Sequence, residues 1–170
     1  MNIMFVCTGN ICRSAMAQWL LVKKLEEQNR TDIKVSSCGL YAENGELPTR
    51  NAIEAMKKYG VNLRLHRATN IRNSSIRSKD LILCAANSHK INVLDMYPEL
   101  EGKVYTLKEY VGYDKEFHTK IDIEDPWGYG EDVYRFCAAE INDCLDLLLE
   151  KIKTIKNDKK TEQDGYELSD

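Results

Sequence analysis

At 170 residues the chain is long enough for one well-buried core and too short for two domains of ordinary size. Hydrophobic residues make up 43% and charged residues 30%, the balance of a globular protein, and no run approaches the roughly eighteen apolar residues of a membrane span. With 24 basic against 27 acidic residues the net charge is −3, which removes any global electrostatic case for a nucleic-acid or membrane partner and makes an anion site a local matter.

The first residues, "NIMFVC" (2 to 7), form a nearly continuous apolar run that predicts a buried strand. They lack the basic, apolar and small-residue regions of a signal peptide, so a cytoplasmic protein is expected. "AMAQWLLVKKLEEQ" (15 to 28) follows with Met16, Leu20, Leu21 and Leu25 at helical spacing, which places the residues between at a strand-to-helix junction. "IKVSSC" (33 to 38), closed by Gly39, reads as a second strand. "TRNAIEAMKKYG" (49 to 60) reads as a helix, entered after Pro48 and stopped by Gly60.

"DLILCA" (80 to 85) predicts a third buried strand, and "NSHKINVLDMYP" a short helix capped by Asn87 or Ser88 and ended before Pro98. "KVYTL" (103 to 107) is the fourth strand. In the last helix Val133, Cys137, Ile141, Cys144, Leu148 and Ile152 make one continuous apolar face, with an end expected near Lys156. Residues 157 to 170 carry only Tyr166 and Leu168 as large apolar side chains and are expected to form a disordered tail after a domain of residues 1 to 156. Strands alternating with helices predict a three-layer α/β sandwich: a central four-stranded parallel sheet with helices on both faces. In such sheets ligands bind beyond the carboxyl ends of the strands, where the strand order reverses.

The junction after the first strand, "VCTGNICRS" (6 to 14), is the place to look. Its single glycine, Gly9, rules out both the Walker-type phosphate loop and the dinucleotide fingerprint. Zinc would need further ligands from His66, His89, His118 or a remote cysteine, and no motif links them. The six cysteines (7, 12, 38, 84, 137 and 144) show neither a C-x-x-C nor a repeated knuckle spacing, so no metal or other cofactor is expected. What remains is an ordinary turn, or a loop that holds an oxyanion against a thiolate.

The second reading has a physical basis. A thiolate at a helix start is stabilised by unpaired backbone N–H groups and the positive end of the macrodipole, which makes Cys7 a candidate nucleophile. Five residues between Cys7 and Arg13 let the N–H groups of Thr8, Gly9, Asn10, Ile11, Cys12 and Arg13 point into one concavity, with Gly9 expected to accept the positive φ of such a curl. Arg13 offers a planar fork for two phosphoryl oxygens, and Ser14 a hydroxyl toward the sulfur. A phosphatase of this kind also needs an acid for its leaving group. "IEDPWGYG" (123 to 130) supplies Asp125, biased toward an extended backbone by Pro126 and expected to stay protonated beside Asp122 and Glu124, although Asp-Pro on its own is better read as a turn with no chemistry.

Taken together these residues resemble the low-molecular-weight protein tyrosine phosphatases. "VCTGNICRS" is similar to the family's N-terminal phosphate loop and "EDP" to its late acid loop, and the similarity covers roughly residues 1 to 153 in the same order. Other cysteine phosphatase families place the acid before the cysteine. The resemblance implies a metal-free reaction through a phosphocysteine, with Cys7, Arg13, Asp125 and Ser14 as catalytic residues and inorganic phosphate as product. It implies a bracing network of Asn10, Ser14, Ser37 and His66, and in Cys12 a possible disulfide partner for the nucleophile, against the plain alternative of a packing residue. Cys38, Cys137 and Cys144 are expected to be structural.

The expected partners are tyrosine-phosphorylated proteins, and the protein is expected to be a monomer. Ile11, Tyr41 and Trp127 are the candidate walls of a tyrosine slot. Bacterial arginine phosphatases, which the chain also resembles, carry threonine at the position of Ile11, so an arginine phosphatase is the first alternative. An arsenate reductase is the second: Cys84 is near the first relay position of that chemistry, but no partner follows before Cys137. A module that binds phosphoproteins without turnover is the third, and the presence of nucleophile, arginine and acid together argues against it. The family's two tyrosines after Asp-Pro are replaced here by Trp127 and Gly128, with Tyr129 nearby.

Overall fold

The computed structural model describes residues 1–113 and 121–164, with side chains through residue 153. Along β1 (Asn2–Cys7) side chains alternate between two cores, Ile3 and Phe5 facing one and Met4 and Val6 the other. A strand apolar on both faces must be covered on both. β3 (Leu81–Cys84) repeats the pattern, with Leu81 and Leu83 on the first side and Ile82 and Cys84 on the second. With β2 (Lys34–Gly39) and β4 (Val104–Thr106) they form a parallel sheet in the order β2-β1-β3-β4.

The first face is covered by α1 (Arg13–Glu27), α2 (Arg50–Lys57) and α5 (Glu131–Asp164), which supply Leu20, Leu21, Met56, Leu145 and Leu148 to the larger core. On the second face lie α3 (Asn87–Met96), through Val93, and short 3-10 turns that contribute Ile71, Ile76 and Leu100. The expected α/β sandwich is therefore what the chain forms. From β1 the chain moves outward to β2, then returns to β3 on the other side of β1. That reversal opens a crevice at the carboxyl ends of β1 and β3.

Several boundaries differ from expectation. "KVYTL" ends as a strand at Thr106, whose hydroxyl accepts from Glu109 N (3.1 Å) while Glu109 Oε2 accepts from Thr106 N (3.1 Å). This reciprocal cap starts α4 (Leu107–Val111), a helix that the strand reading of residues 103 to 107 concealed. α3 begins after Ala86 rather than being capped by Asn87 or Ser88; the His89 ring supplies the cap by accepting from Ala86 N (3.1 Å). α5 continues past Lys156 to Asp164, through part of the stretch expected to be a tail, because Lys, Glu and Gln favour helix and no Gly or Pro intervenes before Gly165. Tyr166, Leu168 and His118 lie outside the described residues. Among the described residues no helix is long and apolar enough to cross a membrane.

Candidate active site

The loop between β1 and α1 is shaped by its neighbours at the sheet edge. Leu40 N donates to Cys7 O (3.0 Å) and Tyr41 N to Thr8 O (2.9 Å), so the chain leaving β2 runs directly against it. Such closeness requires Gly39: a Cβ there would meet Thr8 O at 2.6 Å and Asn10 N at 2.8 Å. Sequence reasoning saw Gly39 only as a strand end. The positive φ expected at Gly9 falls instead on Asn10 (φ 56°). Asparagine tolerates the left-handed region better than other residues with a Cβ, and here its side chain fixes it there.

Asn10 is fully buried (0% exposed), and all its polar side-chain atoms have partners. Nδ2 donates to Ser14 Oγ (2.9 Å) and Ser37 Oγ (2.8 Å), and Oδ1 accepts from Thr69 N (2.9 Å). Ser37 passes its own hydrogen to Gln18 Oε1 (2.6 Å). His66 Nε2 donates to Asn10 O (2.7 Å) and its Nδ1 accepts from Trp19 Nε1 (3.2 Å), which fixes the neutral tautomer. Burial lowers the His66 pKa and so favours that neutral ring. Asn10, Ser14, Ser37 and His66 thus do meet; Gln18, Trp19 and Thr69 complete their hydrogen bonds and carried no motif in the sequence that would have singled them out.

This framework presents Cys7. Its Sγ lies 2.9 Å from Ser14 Oγ and accepts from Asn10 N (3.3 Å). Ser14 Oγ accepts from Asn10, and of the two acceptors within reach of its hydrogen, Cys38 O at 3.5 Å and the Cys7 sulfur at 2.9 Å, the sulfur is the nearer. Cys12 sits behind the loop, its sulfur 3.4 Å from Tyr134 Oη and 3.5 Å from Thr49 Oγ1, with burial pushing its thiol pKa up. All six cysteines are free thiols. Burial pushes Cys38, Cys137 and Cys144 up to about 12. Cys84 and Cys137 occupy cores on opposite faces of the sheet, an arrangement unsuited to a disulfide relay. Among the described residues no group of three His, Cys, Asp or Glu side chains converges as a metal site.

The acid loop is anchored to the same crevice. Ile123 N donates to Ala85 O beyond the end of β3 (2.8 Å), and Ile123 O accepts from Arg13 Nη1 (3.0 Å). Asp125 is thereby set with Oδ2 3.2 Å from Arg13 Nη2, while Oδ1 accepts from Trp127 N (3.1 Å). Of the acidic neighbours expected to face Asp125, Asp122 is engaged elsewhere, its Oδ1 accepting from Asn87 N at the start of α3 (2.7 Å), and the cation that Asp125 meets is Arg13. Arg13 itself is only 6% exposed, and its Nε has no partner.

Cys7, Thr8, Gly9, Ile11, Cys12, Arg13, Asp125 and Trp127 line one open cavity of about 200 Å³. Every predicted loop residue except buried Asn10 borders it, and Asn10 instead shapes its floor. Tyr41, expected as a wall of the slot, stands outside this lining: its backbone N–H is tied to Thr8 O (2.9 Å) and the residue is 73% exposed.

The family model for low molecular weight phosphotyrosine protein phosphatase matches residues 2–161. A protein-arginine-phosphatase of Geobacillus stearothermophilus is 34% identical over 153 residues, covering 90% of this chain and 97% of that protein. A low molecular weight protein-tyrosine-phosphatase of Staphylococcus epidermidis is 32% identical over 148 residues, covering 87% and 96%. The crystal structure of the low molecular weight protein tyrosine phosphatase from T. tengcongensis superposes with a TM-score of 0.81 at 37% identity, covering 89% of this chain and 99% of that one.

Proposed function

The chain belongs to the low molecular weight phosphotyrosine protein phosphatase family, and from that premise we propose that it hydrolyses phosphotyrosine in proteins through a phosphocysteine formed on Cys7. The observation that carries this reading is the convergence of the Cys7 sulfur, the Arg13 guanidinium and the Asp125 carboxyl group on one cavity. In the first step the Cys7 thiolate attacks phosphorus in line, the loop N–H groups and Arg13 take the equatorial oxygens, and Asp125 protonates the departing tyrosine oxygen. In the second, Asp125 takes a proton from water as the water displaces sulfur, releasing inorganic phosphate. Ser14 stabilises the thiolate both as nucleophile and as leaving group.

Ile11 and Trp127 form the apolar part of the cavity wall, which suits a phenyl ring better than a guanidinium. Ile11 has no polar atom with which to meet a phosphoguanidine. Relatives named for arginine phosphatase activity make phosphoarginine the substrate to compare. Six free thiols suit a reducing compartment, in keeping with a cytoplasmic enzyme. Rates on a phosphotyrosine peptide, phosphoarginine and arsenate, measured side by side, test the proposal. Phosphotyrosine hydrolysis that is lost in Cys7→Ser and unaffected by chelator is the expected result; turnover of phosphoarginine alone would replace tyrosine with arginine, and no turnover of any would end the reading.

A further inference from the structure

One buried histidine beside the cavity is not used by the chemistry described so far. His89 is 5% exposed and sits in the first turn of α3, across the strand-order reversal from the phosphate loop. Its Nδ1 lies 3.1 Å from Ala86 N. A backbone N–H can only donate, so Nδ1 carries no hydrogen and the ring's single hydrogen is on Nε2. Nε2 is 2.9 Å from Thr8 Oγ1 and donates to it.

The consequence falls on Thr8. With a lone pair taken by His89, and with no other partner for its hydroxyl among the described residues, Thr8 keeps its own hydrogen to donate. Thr8 is exposed and lines the cavity that holds Cys7, Arg13 and Asp125. We propose that His89 is a positioning residue that orients the Thr8 hydroxyl as a hydrogen-bond donor to the phosphoryl group, adding a side-chain donor to the main-chain amides and Arg13. This rests on the cavity being the phosphoryl site. The ring stays neutral for the purpose: burial, then the nearby Arg13 guanidinium, lowers its pKa to about 4. A protonated ring would also turn an N–H toward Ala86 N–H and lose the helix cap.

The two histidines therefore brace the loop from opposite sides, His66 through the Asn10 carbonyl and His89 through the Thr8 hydroxyl. Only the second bond ends on a group that borders the cavity and has a hydrogen left for a ligand.

The test reads inorganic phosphate, as a competitive inhibitor of aryl phosphate hydrolysis and by direct thermal-shift titration. Thr8→Val, which keeps the shape and deletes the hydroxyl, should weaken phosphate binding by about tenfold, the effect of one hydrogen bond to a charged group. Thr8→Ser should recover most of the loss. His89→Ala should weaken binding by a similar factor, His89→Gln should recover part of it through its amide N–H, and adding His89→Ala to Thr8→Val should cost nothing further. Unchanged phosphate affinity in Thr8→Val, or full additivity in the double variant, overturns the inference. If His89→Ala does not fold, the Thr8→Val and Thr8→Ser pair with His89→Gln decides it. Failure of the parent protein to turn over any aryl phosphate would count against the phosphatase reading, whereas the titration reports on Thr8 independently.

Discussion

Arg13 and Asp125 are joined by an ion pair of 3.2 Å, so that without substrate the cavity's cationic fork is engaged by its own acid. A phosphoryl dianion must share or displace that partner, and Arg13 Nε, buried and unpaired, is a further donor. Asp125→Ala should therefore have two opposite effects. Turnover of aryl phosphates should fall by about 10²–10⁴, most for poor leaving groups, while inorganic phosphate should bind at least as tightly because a competing carboxylate is gone. A leaving-group series together with phosphate inhibition constants checks both. Equal losses across leaving groups would refute the acid role.

Ser14 is the only hydroxyl placed against the Cys7 sulfur, at 2.9 Å, among the hydrogen bonds of the described residues. Ser14→Ala should slow iodoacetate alkylation of Cys7 at fixed pH by about tenfold or more and reduce turnover with it, since one hydrogen bond to a charged group amounts to about 1.5–3 kcal/mol. Mass spectrometry of the alkylated peptide gives the first quantity. A normal alkylation rate with normal turnover would mean that the Asn10 amide alone holds the thiolate.

The continuous apolar runs of β1 and β3 and the apolar face of α5 were legible because burial on both faces of a strand or on one face of a helix leaves a regular trace in residue type. α4 was not, because its five residues follow β4 without a break and its start depends on a reciprocal cap between Thr106 and Glu109. At the site, Cys7, Arg13, Ser14 and Asp125 could be named from chemistry, and Asn10, Ser37 and His66 from resemblance. Gly39, Gln18, Trp19, Thr69 and His89 could not: each matters through a contact with a residue distant in sequence, as between Trp19 and His66 or His89 and Thr8. The mistaken role of Gly9 has the same origin, since the positive φ falls on the loop residue whose side chain donates to Ser14 and Ser37 and accepts from Thr69, Asn10.

That correction separates two glycines. At Gly39 an added Cβ would press on backbone atoms of Thr8 and Asn10 at 2.6 and 2.8 Å, whereas at Gly9 the nearest atom is the Ile11 side chain at 3.4 Å. Gly39→Ala should distort the phosphate loop, lowering turnover by an order of magnitude or more and stability by about 1–3 kcal/mol. Gly9→Ala should be much milder. Denaturant midpoints and kcat/KM for both variants make the comparison, and a larger loss at Gly9 would contradict the loop geometry.

The buried histidines set an acid limit on stability. His89 falls from 6.5 to about 4 and His66 is also lowered, in both through burial first, so the unfolded chain binds these protons more readily than the native one. Their contribution is complete above the unfolded value and is lost as pH drops through the native values. For His89 the difference corresponds to roughly 3 kcal/mol. Tm should decline between pH 6.5 and about 4, beginning above the region where the lowered carboxylates Glu54, Asp80, Glu99 and Glu109 protonate. His89→Gln should flatten the upper part of that decline. An unchanged slope in the variant would show that His89 is not the titrating group.

Substrate choice is the remaining question that one side chain can address. Ile11 is half-buried, borders the cavity with Trp127, and packs its remainder against the larger core. A phenyl ring entering beside it gains apolar contact, while the N–H groups of a guanidinium entering there would lose water without finding an acceptor, at about 1–3 kcal/mol for each unsatisfied group. Ile11→Thr removes apolar contact and supplies an oxygen in the same place. The substitution should lower kcat/KM for phosphotyrosine and raise it for phosphoarginine, shifting their ratio by tenfold or more. The two substrates assayed on parent and variant give that ratio directly. A ratio that does not move would place the discrimination elsewhere on the wall, with Trp127 the next residue to change.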